Sequence, residues 1–365
     1  MDRKNSSIYF FLYDLRIGGT EKVVIYLANY FVQQNLNVSI LTISNENHLN
    51  DLIDPRINIR SLNKKTISSA FFPLYRFVLQ NKIDVFIANV WPLTIISSFI
   101  NLISPKTRLV FIDHCNLSAE FKKYNFLFKK MQNISIILFY KLAHHVIAVS
   151  KGVKEDLEDK GVTNKKLSVI YNPLHSSSES VLSDIKIDKW LNSKEKKLIA
   201  IGQFKKQKNF PNLVEAMAHF YKNYELKPQV LILGDGQERE FIQSKINSHN
   251  LQNFFSLPGW VDDPMPFLKE SDLFILSSDF EGFGVVIAEA LSEGINVVST
   301  DCPSGPSEIL LKGELGYLCK INDAEDLSKS IHKGLLNPLD ASVLKNRAKD
   351  FSIEKIGKEY LDLIL

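Results

Sequence analysis

The sequence predicts two α/β domains, each built on a doubly wound parallel sheet. Three observations carry the prediction. A chain of 365 residues is longer than one hydrophobic core usually organises. Short apolar runs alternate with helical periodicity along the whole chain, the pattern of buried parallel strands joined by crossover helices. Glycine-containing turns follow strand candidates at 18–19, 234–236 and 282–284, and it is at such strand ends that these sheets bind ligands.

The run 8–13 reads as the first strand. Gly18-Gly19-Thr20-Glu21 comes after it, then Val23, Val24, Leu27, Ala28 and Phe31 at helical spacing. The two glycines let the backbone turn sharply and approach a ligand closely. Residues 38–43, 84–88 and 109–112 continue the sheet, and Asp113-His114-Cys115-Asn116 stands at a strand end. His114 is therefore a candidate for ligand contact, whereas His144 and His145 precede the strand 146–150 and read as structural. Segments 71–82 and 121–140 mix basic and aromatic residues. That composition suits either a membrane interface with anionic lipid or a core helix whose lysines face water. Strand 167–171 is followed by Asn172-Pro173, and the serine-rich stretch 175–188 reads as a linker or surface loop.

The second sheet opens at 198–201. Gly202-Gln203-Phe204-Lys205-Lys206-Gln207-Lys208-Asn209-Phe210 leads from it into an amphipathic helix through Leu213, Ala216, Met217 and Phe220. Strand 229–233 ends in Gly234-Asp235-Gly236, and 254–258 leads to Gly259-Trp260-Val261. The apolar strand 273–276 runs into Ser-Ser-Asp-Phe-Glu-Gly-Phe-Gly, and good helix formers begin at Val285. A strand, tight loop and helix in this order present backbone N–H groups and the positive end of a helix dipole, which suits phosphate. Glu281 and Glu289 bracket the loop, eight residues apart and about two helical turns along roughly one face. Carboxylates accept hydrogen bonds from hydroxyls. One on a sugar and one on a ribose, with a diphosphate between them, would hold a sugar nucleotide. A strand at 296–300, the rigid Pro303-Ser304-Gly305-Pro306 loop, a short strand at 316–318, a helix at 324–336 and an amphipathic helix at 351–365 complete the chain.

The totals narrow the class. A hydrophobic fraction of 45% and a charged fraction of 23% are ordinary globular values. Three cysteines without metal spacing favour a reducing cytoplasm over a disulfide framework. No signal peptide is visible, and no stretch reaches the roughly 18 unbroken apolar residues of a membrane span. Charge is uneven: residues 1–172 hold 22 Lys+Arg against 13 Asp+Glu, and the rest hold 22 against 28. The basic half points to an anionic surface or acceptor. No nucleic-acid motif accompanies the charge, so nucleic acid is not an expected partner.

The E-x7-E spacing of Glu281 and Glu289, with Glu-Gly-Phe-Gly inside it and a buried strand before it, resembles the signature of retaining family 4 glycosyltransferases of the bacterial surface-polysaccharide and lipopolysaccharide type. The likeness covers essentially the whole chain. It implies the GT-B fold: two Rossmann-like domains facing a central cleft, 1–172 on the acceptor side and 173–345 holding the nucleotide sugar, with 346–365 a helix crossing back to the first domain. It also implies roles. Glu281, His114 and Lys208 would be the catalytic set, with Glu281 and His114 on the donor sugar and Lys208 on the diphosphate. Gly18 and Gly19 would lie against the diphosphate, as would the main chain of Gly282, Phe283, Gly284 and Val285. Gly234 and Val261 would line the base, and Glu289 would hold the ribose. One position departs from the family pattern: Gln203 stands where an arginine is expected, so one charge-assisted contact is missing, and Lys205 or Lys206 is the candidate substitute.

The expected reaction is metal-independent transfer, with retention, from a nucleoside diphosphate sugar, most readily a UDP-hexose or UDP-N-acetylhexosamine. The acceptor would be a lipid-linked glycan or lipopolysaccharide at the inner face of the cytoplasmic membrane, met by a peripherally bound cytoplasmic protein. The sequence contains no Asp-x-Asp pair for a divalent ion. No cofactor or metal is expected, and the leaving diphosphate must be met by Lys208, amides and a helix dipole. Two alternatives stay open: a UDP-sugar 2-epimerase on the same fold, and a two-lobed sugar-binding protein without chemistry.

Overall fold

The protein is described from a computed structural model, which describes residues 6–174 and 187–365. The expected linker at 175–188 therefore lies almost wholly outside the described residues. The chain divides into two compact units, Met1–His175 with Phe351–Leu365, and Ser176–Asp350. The divisions fall a few residues later than the sequence suggested at 172/173 and 345/346.

The first unit runs β1 (Ser7–Leu12), α1 (Gly19–Gln33), β2 (Asn37–Thr42), β3 (Asn58–Ser61), α2 (Ile67–Gln80), β4 (Val85–Asn89), α3 (Leu93–Ser97), α4 (Ile100–Ile103), β5 (Arg108–Asp113), α5 (Leu117–Glu120), α6 (Phe126–Phe139), β6 (His145–Ala148), α7 (Lys151–Asp159) and β7 (Leu167–Val169). All its strand pairs are parallel, in the order β3-β2-β1-β4-β5-β6-β7. The central strands are buried on both faces, which is why they read as unbroken apolar runs. The crossovers from β1 to β3 step one way across the sheet and those from β3 to β7 step the other. Right-handed connections therefore put α1 on one face and α2, α3, α4, α6 and α7 on the opposite face.

The second unit runs α8 (Asp188–Leu191), β8 (Lys197–Ile201), α9 (Phe210–Asn223), β9 (Gln229–Leu233), α10 (Arg239–Ser248), β10 (Phe255–Gly259), α11 (Met265–Lys269), β11 (Leu273–Leu276), α12 (Val285–Ser292), β12 (Asn296–Thr300), α13 (Pro306–Ile309), β13 (Tyr317–Cys319), α14 (Ala324–Leu336) and α15 (Ala341–Ala348). Its parallel sheet has the order β10-β9-β8-β11-β12-β13. Leu213, Met217 and Phe220 of α9 pack with Leu327 and Ile331 of α14 over Leu198 and Val230. Each such side chain contributes about 1.5–3 kcal/mol when fully removed from water.

The last helix, α16 (Ile353–Ile364), returns to the first unit and packs on α1. Arg108 Nη2 donates to Leu363 O at 2.8 Å. Gly357 faces the ring of Tyr30 so closely that any side chain there would overlap it.

Candidate active site

In the second unit the strand order reverses between β8 and β11, and the loops leaving the carboxyl ends of these two strands come together there. The β8 loop brings Lys208 and the β11 loop brings Glu281. Lys208 Nζ donates to Glu281 Oε1 at 2.6 Å, and Ser278 Oγ donates to the same oxygen at 2.7 Å. The two charged side chains are only 15% and 8% exposed. Water screens such a pair weakly, so each charge depends on the other.

Cross-ties fix both loops. The Asp279 N–H donates to Gln207 O at 2.8 Å, Gln207 Nε2 to Phe280 O at 2.7 Å, and Ser277 Oγ to Lys208 O at 2.8 Å. The Lys208 stem lies over Gly202, where a Cβ would come within 3.2 Å of Lys208 Cε. Cys302 lies beside the pair, and burial with the nearby Glu281 carboxylate raises its thiol far above the ordinary range, so it stays protonated.

Two glycines shape the turn into α12. Gly284, at φ 88° and ψ 53°, sits in the left-handed region and caps the helix. Gly305, at φ 95°, backs the turn so closely that a Cβ would overlap Phe283 O. The Glu281 N–H donates to Pro303 O at 3.1 Å, which joins the same two loops. The Phe283 side chain is buried, so the segment from Gly282 to Val285 offers a ligand its main chain. In the first turn the Ile287 N–H donates back to Gly284 O at 2.9 Å, and the positive end of the helix dipole lies at this loop.

The carboxylate spacing differs from the sequence expectation. The helix begins at Val285, so Glu281 lies outside it and Glu289 stands little more than one turn inside. The two are therefore not related by two helical turns on one face; a loop places one and a helix places the other.

Gly234, at φ 136°, lies so close to Gly202 O that a side chain would overlap it, and its N–H donates to Gly259 O at 2.9 Å. Its glycine is thus required by the packing of neighbouring turns. Val261 buries its side chain. Gln203 is exposed, as are Lys205 and Lys206 in the same loop. Ser278 and Gly305 were not predicted. A serine pair before an acidic loop and a glycine between prolines were the only signals.

Gly18, Gly19 and His114 belong to the first unit. Gly18 is the extended N-cap of α1, against the Glu21 carboxylate, and Gly19 has nothing within 4 Å of where a Cβ would stand. His114 follows β5 and reaches Asn89 at the end of β4, with Nε2 and Oδ1 3.1 Å apart. Asn89 Nδ2 donates to Phe11 O at 3.2 Å, which leaves Asn89 Oδ1 as the acceptor and puts the His114 proton on Nε2. Burial pushes the His114 pKa down to about 3, so the ring is neutral and would hydrogen-bond a ligand without bringing charge. The predicted structural role of His144 agrees with its Nδ1 accepting from the Leu109 N–H at 3.0 Å.

Beside His114, Asp113 is fully buried, and its Oδ1 accepts from Tyr140 Oη at 3.1 Å. Burial raises its pKa to about 7. A raised carboxylate favours the folded state most below its unfolded pKa, and that advantage is lost as pH rises through about 7. Asp113→Asn is expected to remove a slope of about 1.4 kcal/mol per pH unit across this window. In thermal melts from pH 4 to 8 the variant should gain on the parent as pH rises; parallel profiles would refute the assignment.

The family model described as "Glycosyl transferases group 1" matches residues 183–351, and that described as "Glycosyltransferase Family 4" matches 17–177. An N-acetylgalactosamine-N,N'-diacetylbacillosaminyl-diphospho-undecaprenol 4-alpha-N-acetylgalactosaminyltransferase of Campylobacter jejuni is 30% identical over 271 residues, covering 71% of this chain and 70% of that protein. The chain belongs to glycosyltransferase family 4. The family 4 chain also resembles the lipopolysaccharide core biosynthesis glycosyltransferase LpsE of Rhizobium meliloti, at 28% identity over 62% of this chain and 65% of that one. Among solved structures, Anabaena HepE in complex with UDP and glucose superposes with a TM-score of 0.79 at 19% identity, over 98% of each chain, which places the glycosyltransferase in the GT-B fold. No helix among its described residues is long and apolar enough to cross a membrane.

Proposed function

We propose that this glycosyltransferase moves a hexose or N-acetylhexosamine, with retention and without a metal ion, from a UDP-sugar to a hydroxyl of a lipid-linked glycan or lipopolysaccharide at the inner face of the cytoplasmic membrane. One observation carries the reading: the buried Lys208–Glu281 pair at the strand-order reversal, next to the glycine-shaped start of α12. Lys208, the main chain of Gly282 to Val285 and the helix dipole take the charge of the diphosphate. Glu281, already anchored by Ser278, accepts from donor-sugar hydroxyls and holds the Lys208 ammonium in place for the diphosphate. Glu289 takes the ribose, and the turns at Gly234 and Val261 take the base. In the transfer step the bond from sugar C1 to the diphosphate oxygen breaks and a bond from C1 to the acceptor oxygen forms. The acceptor's proton passes to the departing diphosphate.

The UDP donor is supported by HepE, which shares the fold and holds UDP. The lipid-linked acceptor is supported by the C. jejuni relative, whose name specifies a diphospho-undecaprenol substrate. The first unit has a pocket of about 470 Å³ beyond β1, β2 and β3, lined by Tyr13, Arg16, Ser44, Glu46, Asn63 and Lys64 among others. Its mixture of donors and acceptors suits glycan hydroxyls, and we assign it to the acceptor.

The test is incubation with UDP-sugars, with and without a polyprenyl-diphosphate glycan, in the presence of EDTA. The expected result is UDP release that requires acceptor, survives EDTA and gives the anomer of the donor. Isomerisation of the sugar without acceptor would assign an epimerase instead, and UDP release that needs a divalent ion would refute the metal-independent mechanism.

A further inference from the structure

The helix α6 leaves most of its large apolar side chains exposed. It buries only Gln132 and Ile136, while Phe126, Leu127, Met131, Ile134 and Leu138 keep 46–80% of their surface exposed. Leu127, Met131, Ile134 and Leu138 recur at helical spacing and form one outward stripe. The arrangement is firmly built. Asn125 caps the helix by accepting from the Phe128 N–H at 2.8 Å; Phe128 stacks on Tyr124, and Trp91 meets Phe121 and Phe128 edge-on.

The stripe continues onto neighbouring helices of the same sheet face. Phe71 of α2 meets Phe99 at 6.1 Å between ring centroids, and Phe99 meets Phe139 of α6 at 5.0 Å. Outward from this seam α2 exposes Phe72 and Leu79, and α4 exposes Leu102. An exposed apolar area of this extent marks an interaction surface.

Charge identifies the partner. Residues 121–154 contain seven lysines and no acidic residue, and no acidic residue lies between Asp54 and Asp84. Lys122, Lys123 and Lys130 are exposed, the last within the apolar stripe itself. A second copy of this face would set lysines against lysines. A bilayer with anionic headgroups answers both features, taking the apolar stripe at its acyl boundary and the lysines at its phosphates. We infer that α6, flanked by α2 and α4, is the surface by which the first unit binds an anionic membrane leaflet. This rests on the proposed membrane-linked acceptor and specifies the contact.

The experiment is flotation of the full chain with vesicles of phosphatidylglycerol and phosphatidylcholine, against pure phosphatidylcholine. The parent chain should float with the anionic vesicles and lose binding as salt rises. Combined Leu127→Gln, Met131→Gln and Leu138→Gln, all at exposed positions, should leave the melting temperature unchanged and weaken binding by about a hundredfold. Lys122→Gln, Lys123→Gln and Lys130→Gln should weaken it by about fivefold each. A parent chain that ignores anionic vesicles, or a glutamine variant that floats as well as the parent, overturns the inference. So does a parent dimer that the glutamine variant dissolves. UDP binding by calorimetry on the same samples reads the donor assignment separately, so failure of one reading is not failure of the other.

Discussion

Glu281→Ala is expected to lower transfer by about a thousandfold, the scale of losing a preorganised group in a water-poor site. The variant also strands the Lys208 ammonium, at a cost of about 3 kcal/mol in the stability of the second unit. The two effects are separable. Glu281→Gln keeps the shape and a hydrogen-bonding partner for Ser278, and removes the charge that Lys208 meets at 2.6 Å. In either variant UDP itself should still bind, through Lys208 and the main chain of Gly282 to Val285, while affinity for the UDP-sugar falls. Calorimetry with UDP and UDP-sugar, beside steady-state transfer, reads this split. Full activity in Glu281→Gln would remove the carboxylate from the mechanism, and equal loss of both ligands would reduce it to a packing residue.

The second large effect is expected at Gly305, which makes no contact through a side chain. Its φ of 95° is strained for any L side chain, and a Cβ would overlap the carbonyl of Phe283. Gly305→Ala should cost about 3 kcal/mol or more in stability and displace the turn that starts α12, lowering transfer by about a hundredfold. Gly19→Ala is the matched control, since nothing lies within 4 Å of the added methyl. It should leave stability almost unchanged. A Gly305→Ala protein that melts and turns over like the parent would show that the 303–306 loop does not shape the site.

The sheets were readable because buried parallel strands are apolar throughout, and each predicted strand is present. The strand β3 was not readable. Its sequence, Asn-Ile-Arg-Ser, lies at the sheet edge with alternating exposure and carries one apolar residue. The Glu-Gly-Phe-Gly loop was legible as a candidate anion site from its glycines and its place between strand and helix. The ion pair at its centre did not, because Lys208 and Glu281 are 73 residues apart and only the fold joins them. The segment 121–140 left two readings open, and periodicity could not decide between them, since an apolar stripe looks the same whether it faces a core or a solvent. Burial shows only that the stripe faces outward.

The return of α16 to α1 has a consequence for biosynthesis. The first unit is made from both ends of the chain, with the whole of the second unit threaded between them. Every residue of the second unit is therefore synthesised before the helix that completes the first. Until residues 351–365 emerge, the surface of α1 around Tyr30 waits uncovered, and a nascent chain in that interval is open to chaperone capture.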